Sequence, residues 1–142
     1  LFFSRNIKLK QNLDAFLLPT IAPSLDTIFP KHYILPQEIL EKTAKDNLEL
    51  IIMLFLENGD KSGYHILKDI ASHFHCILSQ GTVYPLLYRL ERENKILKKD
   101  GIGREVLYSL TQETKNQLQS RKENSLRAYQ HLASFFENEN KT

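Results

Sequence analysis

The sequence predicts a mainly α-helical fold with a small β-wing, preceded by an N-terminal arm and followed by a long C-terminal helix. Three observations lead there. Apolar residues recur at spacings of three and four across positions 37–94. A segment of alternating apolar and polar residues then brackets the turn Asp100-Gly101-Ile102-Gly103. Helical spacing resumes after Thr111 and runs well beyond what so small a hairpin needs for cover.

The arm is residues 1–36. Pro19, Pro23, Pro30 and Pro36, four of the five prolines, fall there within eighteen positions. Asn12–Leu18 can form a short helix that Pro19 ends, because the residue before proline avoids the helical region. Thr20–Tyr33 reads as irregular. The arm is nonetheless rich in large apolar residues (Phe2, Phe3, Phe16, Ile28, Phe29), unlike a solvated tail, so it is expected to pack on the domain or on a partner subunit.

The central region, 37–111, reads as helices and a hairpin. Pro36 or Gln37 opens the first helical stretch, with Glu38 and Glu41 in turns where acidic groups suit the helix dipole. Ile39, Leu40, Ala44, Leu48, Ile51, Ile52, Phe55 and Leu56 continue its stripe up to the stop at Asn58-Gly59. Ser62 caps the next helix, whose apolar positions are Tyr64, Ile66, Leu67, Ile70, Ala71 and Phe74. Cys76–Ser79 form a turn. Proline is tolerated in a first helical turn, so Pro85 points to Thr82 as the cap of the following helix, with Ser79 and a proline kink as the alternative. Val83, Leu86, Leu87, Leu90 and Asn94 share one side of that helix; Thr82, Pro85, Tyr88, Arg89 and Arg92 share the other. Strands are expected at Ile96–Lys99 and Glu105–Leu110. Thr111-Gln112-Glu113 opens the last region, 112–142, a helix with Leu118, Leu126, Tyr129, Leu132, Ala133 and Phe136 along it. An apolar stripe on an overhanging helix points to a second copy of the chain.

The bulk numbers exclude more than they assign. A length of 142 residues bounds the chain to one domain, or one domain with an appendage, and a net charge of +2 is not that of a polycation. The charge is unevenly spread: positions 37–57 hold two basic and five acidic residues, positions 81–104 six basic and three acidic. That is enough for a local phosphate-binding patch. The single cysteine, Cys76, rules out an internal disulfide framework and fits a reducing cytoplasm. The apolar run Leu48–Leu56 contains Glu49 and is too short to span a bilayer. No secretion leader is read at the start. A cytoplasmic, nucleoid-associated location is the expectation.

Helix, turn, second helix and basic hairpin, in that order, make a winged helix-turn-helix, a layout that pushes one helix into the major groove of DNA. The DNA-contact candidates follow. Ser79 and Gln80 precede the recognition helix, where N-terminal groups meet phosphates or base edges. Thr82, Tyr84, Tyr88, Arg89 and Arg92 form its polar and cationic surface, and Lys98, Lys99 and Arg104 sit on the wing for phosphate contact. Leu48, Ile52, Phe55, Leu118, Leu126, Tyr129, Leu132 and Phe136 are the dimer-interface candidates.

Leu48–Lys115 resembles the PadR family of winged-helix transcriptional regulators. The resemblance rests on Gly63-Tyr64-His65-Ile66, on Gly81-Thr82-Val83-Tyr84-Pro85-Leu86-Leu87-Tyr88-Arg89-Leu90-Glu91, and on Tyr108-Ser109-Leu110-Thr111. It implies a homodimeric DNA-binding repressor, with double-stranded DNA and a second copy as partners and a small-molecule effector that nothing here specifies. The chain departs from the family pattern where His65 replaces a usual Glu, where Asn94 and Thr114 replace common Gly, and in a wing with only Arg104 near its tip. More distantly, a short chain with an N-terminal extension is similar to the cyanobacterial clock modifier Pex, and replication terminator proteins share the layout.

Other chemistries find little footing. His65, His73, His75 and Cys76 suggest zinc, but His65 and Cys76 are roughly 16 Å apart along a helix, and no Cys-x-x-Cys or His-x-x-x-His pair occurs. Cys76 beside His75 and His73 does not make a converging triad, and no glycine-rich phosphate loop is present. No metal, cofactor or enzymatic activity is expected. The competing reading is an adaptor that keeps the winged fold and binds another protein through its arm and last helix.

Overall fold

The computed structural model describes residues 35–139. The expectations for the N-terminal arm, including a helix at Asn12–Leu18, lie outside these residues. Within them the order is α1 (Gln37–Asp46), α2 (Leu48–Glu57), β1 (Lys61–Ser62), α3 (Gly63–Phe74), α4 (Gln80–Arg92), β2 (Ile96–Asp100), β3 (Val106–Leu110) and α5 (Gln112–Glu139). A mainly helical chain with a small antiparallel sheet is the predicted class.

Three local details differ from the expectation. The first helical stretch is broken at Asn47, whose φ of −114° and ψ of 13° leave the helix while its side-chain amide donates to Thr43 O at 2.8 Å. Asparagine competes for nearby backbone groups in this way, and the apolar stripe runs across the break without registering it. The sheet has three strands in the order β1-β3-β2, because Lys61 and Ser62 pair with Tyr108 and Leu107. Two residues are too few for an alternation signal. Finally, α4 begins at Gln80 with Ser79 as its N-cap, so Pro85 lies inside the helix. Its ring removes the hydrogen bond that Gly81 O would otherwise accept.

Other boundaries follow local chemistry. Ser62 caps α3 by accepting from His65 N at 3.3 Å. Leaving α4, Asn94 takes φ 56°, while Lys95 N donates to Leu90 O at 2.9 Å and Asn94 N to Glu91 O at 3.0 Å. That is a Schellman ending, with asparagine in the left-handed position usually given to glycine. Thr111 starts α5, its hydroxyl accepting from Thr114 N at 3.3 Å. Thr114 is buried there and bonded to Thr111, so the absent glycine costs nothing visible.

The core lies where α2, α3, α4 and the sheet meet the first turns of α5. Ile52, Met53, Ile66, Ile70, Val83, Leu87, Leu90, Ile96 and Leu118 are fully buried within it. Burying a side chain of this size stabilises by about 1.5–3 kcal/mol. The result is a rigid base that holds α4 with its polar side outward and the β2–β3 wing beside it.

Candidate nucleic-acid interface

One surface gathers much of the predicted chemistry. Tyr84 and Tyr88 from α4, Lys98 from β2 and Arg104 from the wing turn line a concavity of about 440 Å³. Ser62, Gly63, Tyr64, Glu105, Val106 and Tyr108 complete its wall. Lys98 pairs directly with Tyr108 across β2 and β3, so both face this side; Lys99 opposes Leu107 and faces away. The Lys98 ammonium stands 5.1 Å from the Tyr88 ring centroid and bonds Glu91 at 2.9 Å. That bond to Glu91 raises the Lys98 pKa, against a small opposing effect of burial, so the group stays cationic. Tyr108 is buried, and burial raises its phenol pKa although Lys98 acts the other way.

Packing sets the tyrosine positions. Tyr84 lies across Gly63 so closely that a Cβ there would sit 2.7 Å from its Cζ and Oη. Its ring is 6.4 Å from that of Tyr88, one turn on. Tyr64, on α3, is exposed with the Lys68 ammonium 5.7 Å from its ring centroid. His65 Nδ1 is 2.8 Å from Ser62 Oγ and 3.7 Å from Glu105 Oε1.

The remaining candidates fall into separate groups. Ser79, Gln80 and Thr82 cluster at the α4 N-terminus, with Ser79 Oγ and Thr82 Oγ1 3.0 Å apart. A helix N-terminus presents N–H donors and a partial positive charge to an anion. Arg92 is exposed at the other end of α4. Lys99 is held by Asp60 at 3.1 Å, off the concavity. Arg89 departs from expectation most. Its guanidinium turns to Glu49 at 3.0 Å, with Glu93 3.8 Å away, so it belongs to an internal charge cluster on the flank of α4.

The interface residues also divide. Leu48, Ile52 and Leu118 are at most 5% exposed inside a single chain, which corrects their reading as contact surface: they build the protomer core. Phe55 is half-buried against that core, 5.1 Å from the His73 ring. Of the interface candidates, Tyr129, Leu132 and Phe136 are exposed, Tyr129 with its hydroxyl donating to Asn47 Oδ1, and Leu126 is half-buried; Phe135, which the sequence reading passed over, is at 55% exposure. A stripe counted from Leu118 merges the buried and exposed parts of one helix. Sequence reasoning also missed Tyr64 as a wall residue, although the Gly63-Tyr64-His65 motif held the signal.

Cys76 is buried, and burial, with Glu41 adding to it, raises its thiol pKa, the reverse of a reactive nucleophile. Among the described residues no group of three His, Cys, Asp or Glu side chains is placed to hold a metal ion, and no helix is long and apolar enough to cross a membrane.

A helix-turn-helix with a three-stranded wing and an outward-facing polar helix defines a winged-helix fold, a layout many DNA-binding proteins share. Residues 52–120 match the family model of the Transcriptional regulator PadR-like family. Among solved structures it is similar to a PadR family transcription regulator from Clostridium difficile at 28% identity and TM-score 0.57, covering 63% of this chain and 98% of that one. It is also similar to a transcriptional regulator from Clostridium thermocellum, with 23% identity, TM-score 0.59 and coverage of 66% and 97%. A PadR-like transcriptional regulator from Bacillus cereus matches at 22% identity and TM-score 0.55, covering 71% and 98%. The last two likenesses speak to the fold alone. No curated protein matches the chain.

Proposed function

We propose that the chain is a sequence-specific, DNA-binding transcriptional repressor that acts as a homodimer. In this reading α4 enters the major groove, the concavity beside it takes the DNA backbone, and the exposed end of α5 joins two copies. A cytoplasmic, nucleoid-associated location goes with that role. The observation that carries the reading is the convergence of Tyr84, Tyr88, Lys98 and Arg104 on one open surface between recognition helix and wing. Hydroxyls and cations arranged along a groove suit phosphate oxygens, which fix register, while base edges are left to α4.

Gly81 adds support. A Cβ there would meet only Ser79 Oγ at 3.7 Å, an ordinary contact, and its φ is not in the left-handed region, so the fold has no need of glycine. A bare backbone on the first turn of α4 suits close approach of a phosphate.

Because Arg89, Lys98 and Lys99 are each paired with a carboxylate, an adaptor that binds protein in place of DNA is the competing reading. Salt separates the two. Arg92, Lys98 and Arg104 from each of two protomers give a slope of log K against log salt on the order of −5 on duplex DNA. An adaptor gives no salt-dependent DNA binding, and that outcome would sink the proposal.

A further inference from the structure

Glu49 is the one acidic residue in the apolar run Leu48–Leu56, and three cations from different parts of the chain close on it. Its Oε1 is 2.8 Å from Arg121 Nη2 on α5 and 2.9 Å from Lys95 Nζ in the turn before β2. Its Oε2 is 3.0 Å from Arg89 Nη2 on α4. Arg121 also donates to Met53 Sδ at 3.1 Å, and Lys95 is shared with Glu93 at 2.8 Å. Among the described residues, Lys61–Asp69 and Lys99–Asp60 are pairs of two side chains, by contrast. Burial raises the Glu49 pKa, but hydrogen bonds from Arg121 and Lys95 outweigh it and hold the carboxyl below the ordinary value. It therefore stays charged in the folded chain.

We propose that Glu49 is a positioning residue that pins α5 to the recognition helix and so sets the spacing between the two DNA half-sites. This inference rests on the dimeric DNA-binding reading. If dimers join through the exposed end of α5, the separation of two recognition helices depends on the angle at which α5 leaves α4. From Arg121 to Leu132 is eleven residues, about 16 Å of helix. A tilt of about 10° at the pin displaces the far end by about 3 Å, close to the 3.4 Å rise of one base step. The carboxylate joining α2, α4, the wing root and α5 resists that tilt, with the bond that Tyr129 Oη donates to Asn47 Oδ1 as a second tie further along α5. It also explains why Arg89 points away from the concavity: the pin consumes it.

Two measurements on the full chain test this. In a Cys76→Ala background, spin labels at Arg92→Cys and Ser134→Cys, diluted with unlabelled protein, report the distance between α4 and the end of α5. A single narrow distribution is expected, broadened by Glu49→Gln and by Arg121→Gln; an unchanged distribution in both overturns the pin without reference to DNA. Arg121→Gln removes only the α5 arm of the cluster, so it decides the matter if Glu49→Gln does not fold.

Selection from a random duplex pool is the second measurement. The parent protein should return paired half-sites at one spacing. Glu49→Gln should return the same half-site at several spacings, with at least tenfold weaker binding at the parent spacing and unweakened binding to random duplex. Identical spacing and affinity refute the role in spacing. A parent protein that selects no duplex refutes the DNA reading instead, and with it the spacing role, whatever the distance distributions show.

Discussion

Gly63→Ala tests whether Tyr84 is placed by its contact with the start of α3. Gly63 opens α3, is buried, and has no left-handed φ, so alanine there is conformationally sound. In isolation the change stabilises by about 0.4–1 kcal/mol through the unfolded chain. The new Cβ, however, sits 2.7 Å from Tyr84 Cζ and Oη and 2.8 Å from Cε1, against ordinary carbon contacts of about 3.5–4.0 Å. The ring must withdraw by about 1 Å. Overpacking costs about 1–3 kcal/mol, and the lower end applies because the ring borders an open concavity it can swing into. The net effect is destabilisation of about 0–1 kcal/mol. In a Tyr84→Ala background the same change should stabilise by about 0.4–1 kcal/mol. Urea unfolding of the four proteins then gives a coupling of about 1 kcal/mol or more. Titration on duplex DNA should show Gly63→Ala weakening binding in the parent and doing nothing further without Tyr84. Additivity within about 0.5 kcal/mol would refute the contact, and unchanged DNA affinity would refute its use.

Four further outcomes are expected. Gly81→Ala should leave stability unchanged or raise it by up to about 1 kcal/mol while weakening DNA binding, and equal affinity would remove the backbone contact from the reading. Lys98→Gln should lower the salt slope by roughly 2 for a dimer, since each protomer then neutralises one phosphate fewer, on specific and random duplex alike. Ending the chain after Ala128 removes Tyr129, Leu132, Phe135 and Phe136 but spares Leu118 and Arg121; sedimentation should show a folded monomer, and a persistent dimer places the interface elsewhere. Because the Glu49 pKa is lowered on folding, its charge contributes stability that is present above the ordinary value of 4.5 and lost as pH falls through the lower folded value. The stability difference between the parent and Glu49→Gln should therefore be largest near neutral pH and shrink through the acid range; a constant difference would show that the charge is not what matters.

Helices and wing were legible because their signals are local. Ser62 before a periodic run, Asn58-Gly59 after one and the glycine turn of the wing each fix a boundary through local backbone or capping chemistry. The break at Asn47 was not, since the core stripe continues from Ala44 to Leu48 across it. Nor was the start of α4, where one proline admits two caps and packing of Val83 and Leu87 decides. The concavity was half legible: the motif 81–91 named Tyr84 and Tyr88, but the walls from Tyr64 and Tyr108 come together only through the β1–β3 pairing. Arg89 shows the limit most sharply. A helical wheel places it outward, and only the tertiary approach of α2 reveals the Glu49 carboxylate that takes it.

The pairing of wing and helix cations with carboxylates bears on how such a surface would discriminate between sequences. Lys98 is engaged by Glu91 and Lys99 by Asp60, with side-chain exposures of 35–52% across both pairs. Pairs this open are weak because water and salt screen them, so a phosphate displaces the carboxylate at little cost. Random duplex meets the same charges as a specific site, and the neighbouring Glu91 and Asp60 subtract from both alike. In the proposed role, specific binding alone would add contacts from the polar side of α4, set in place by the core beneath Val83, Leu87 and Leu90. In that role, partial neutralisation of the wing lowers specific and non-specific affinity together and leaves the ratio between them to base readout. A surface with few free cations, on a chain of net charge +2, would then bind all duplex more weakly and depend on those base contacts for its selectivity.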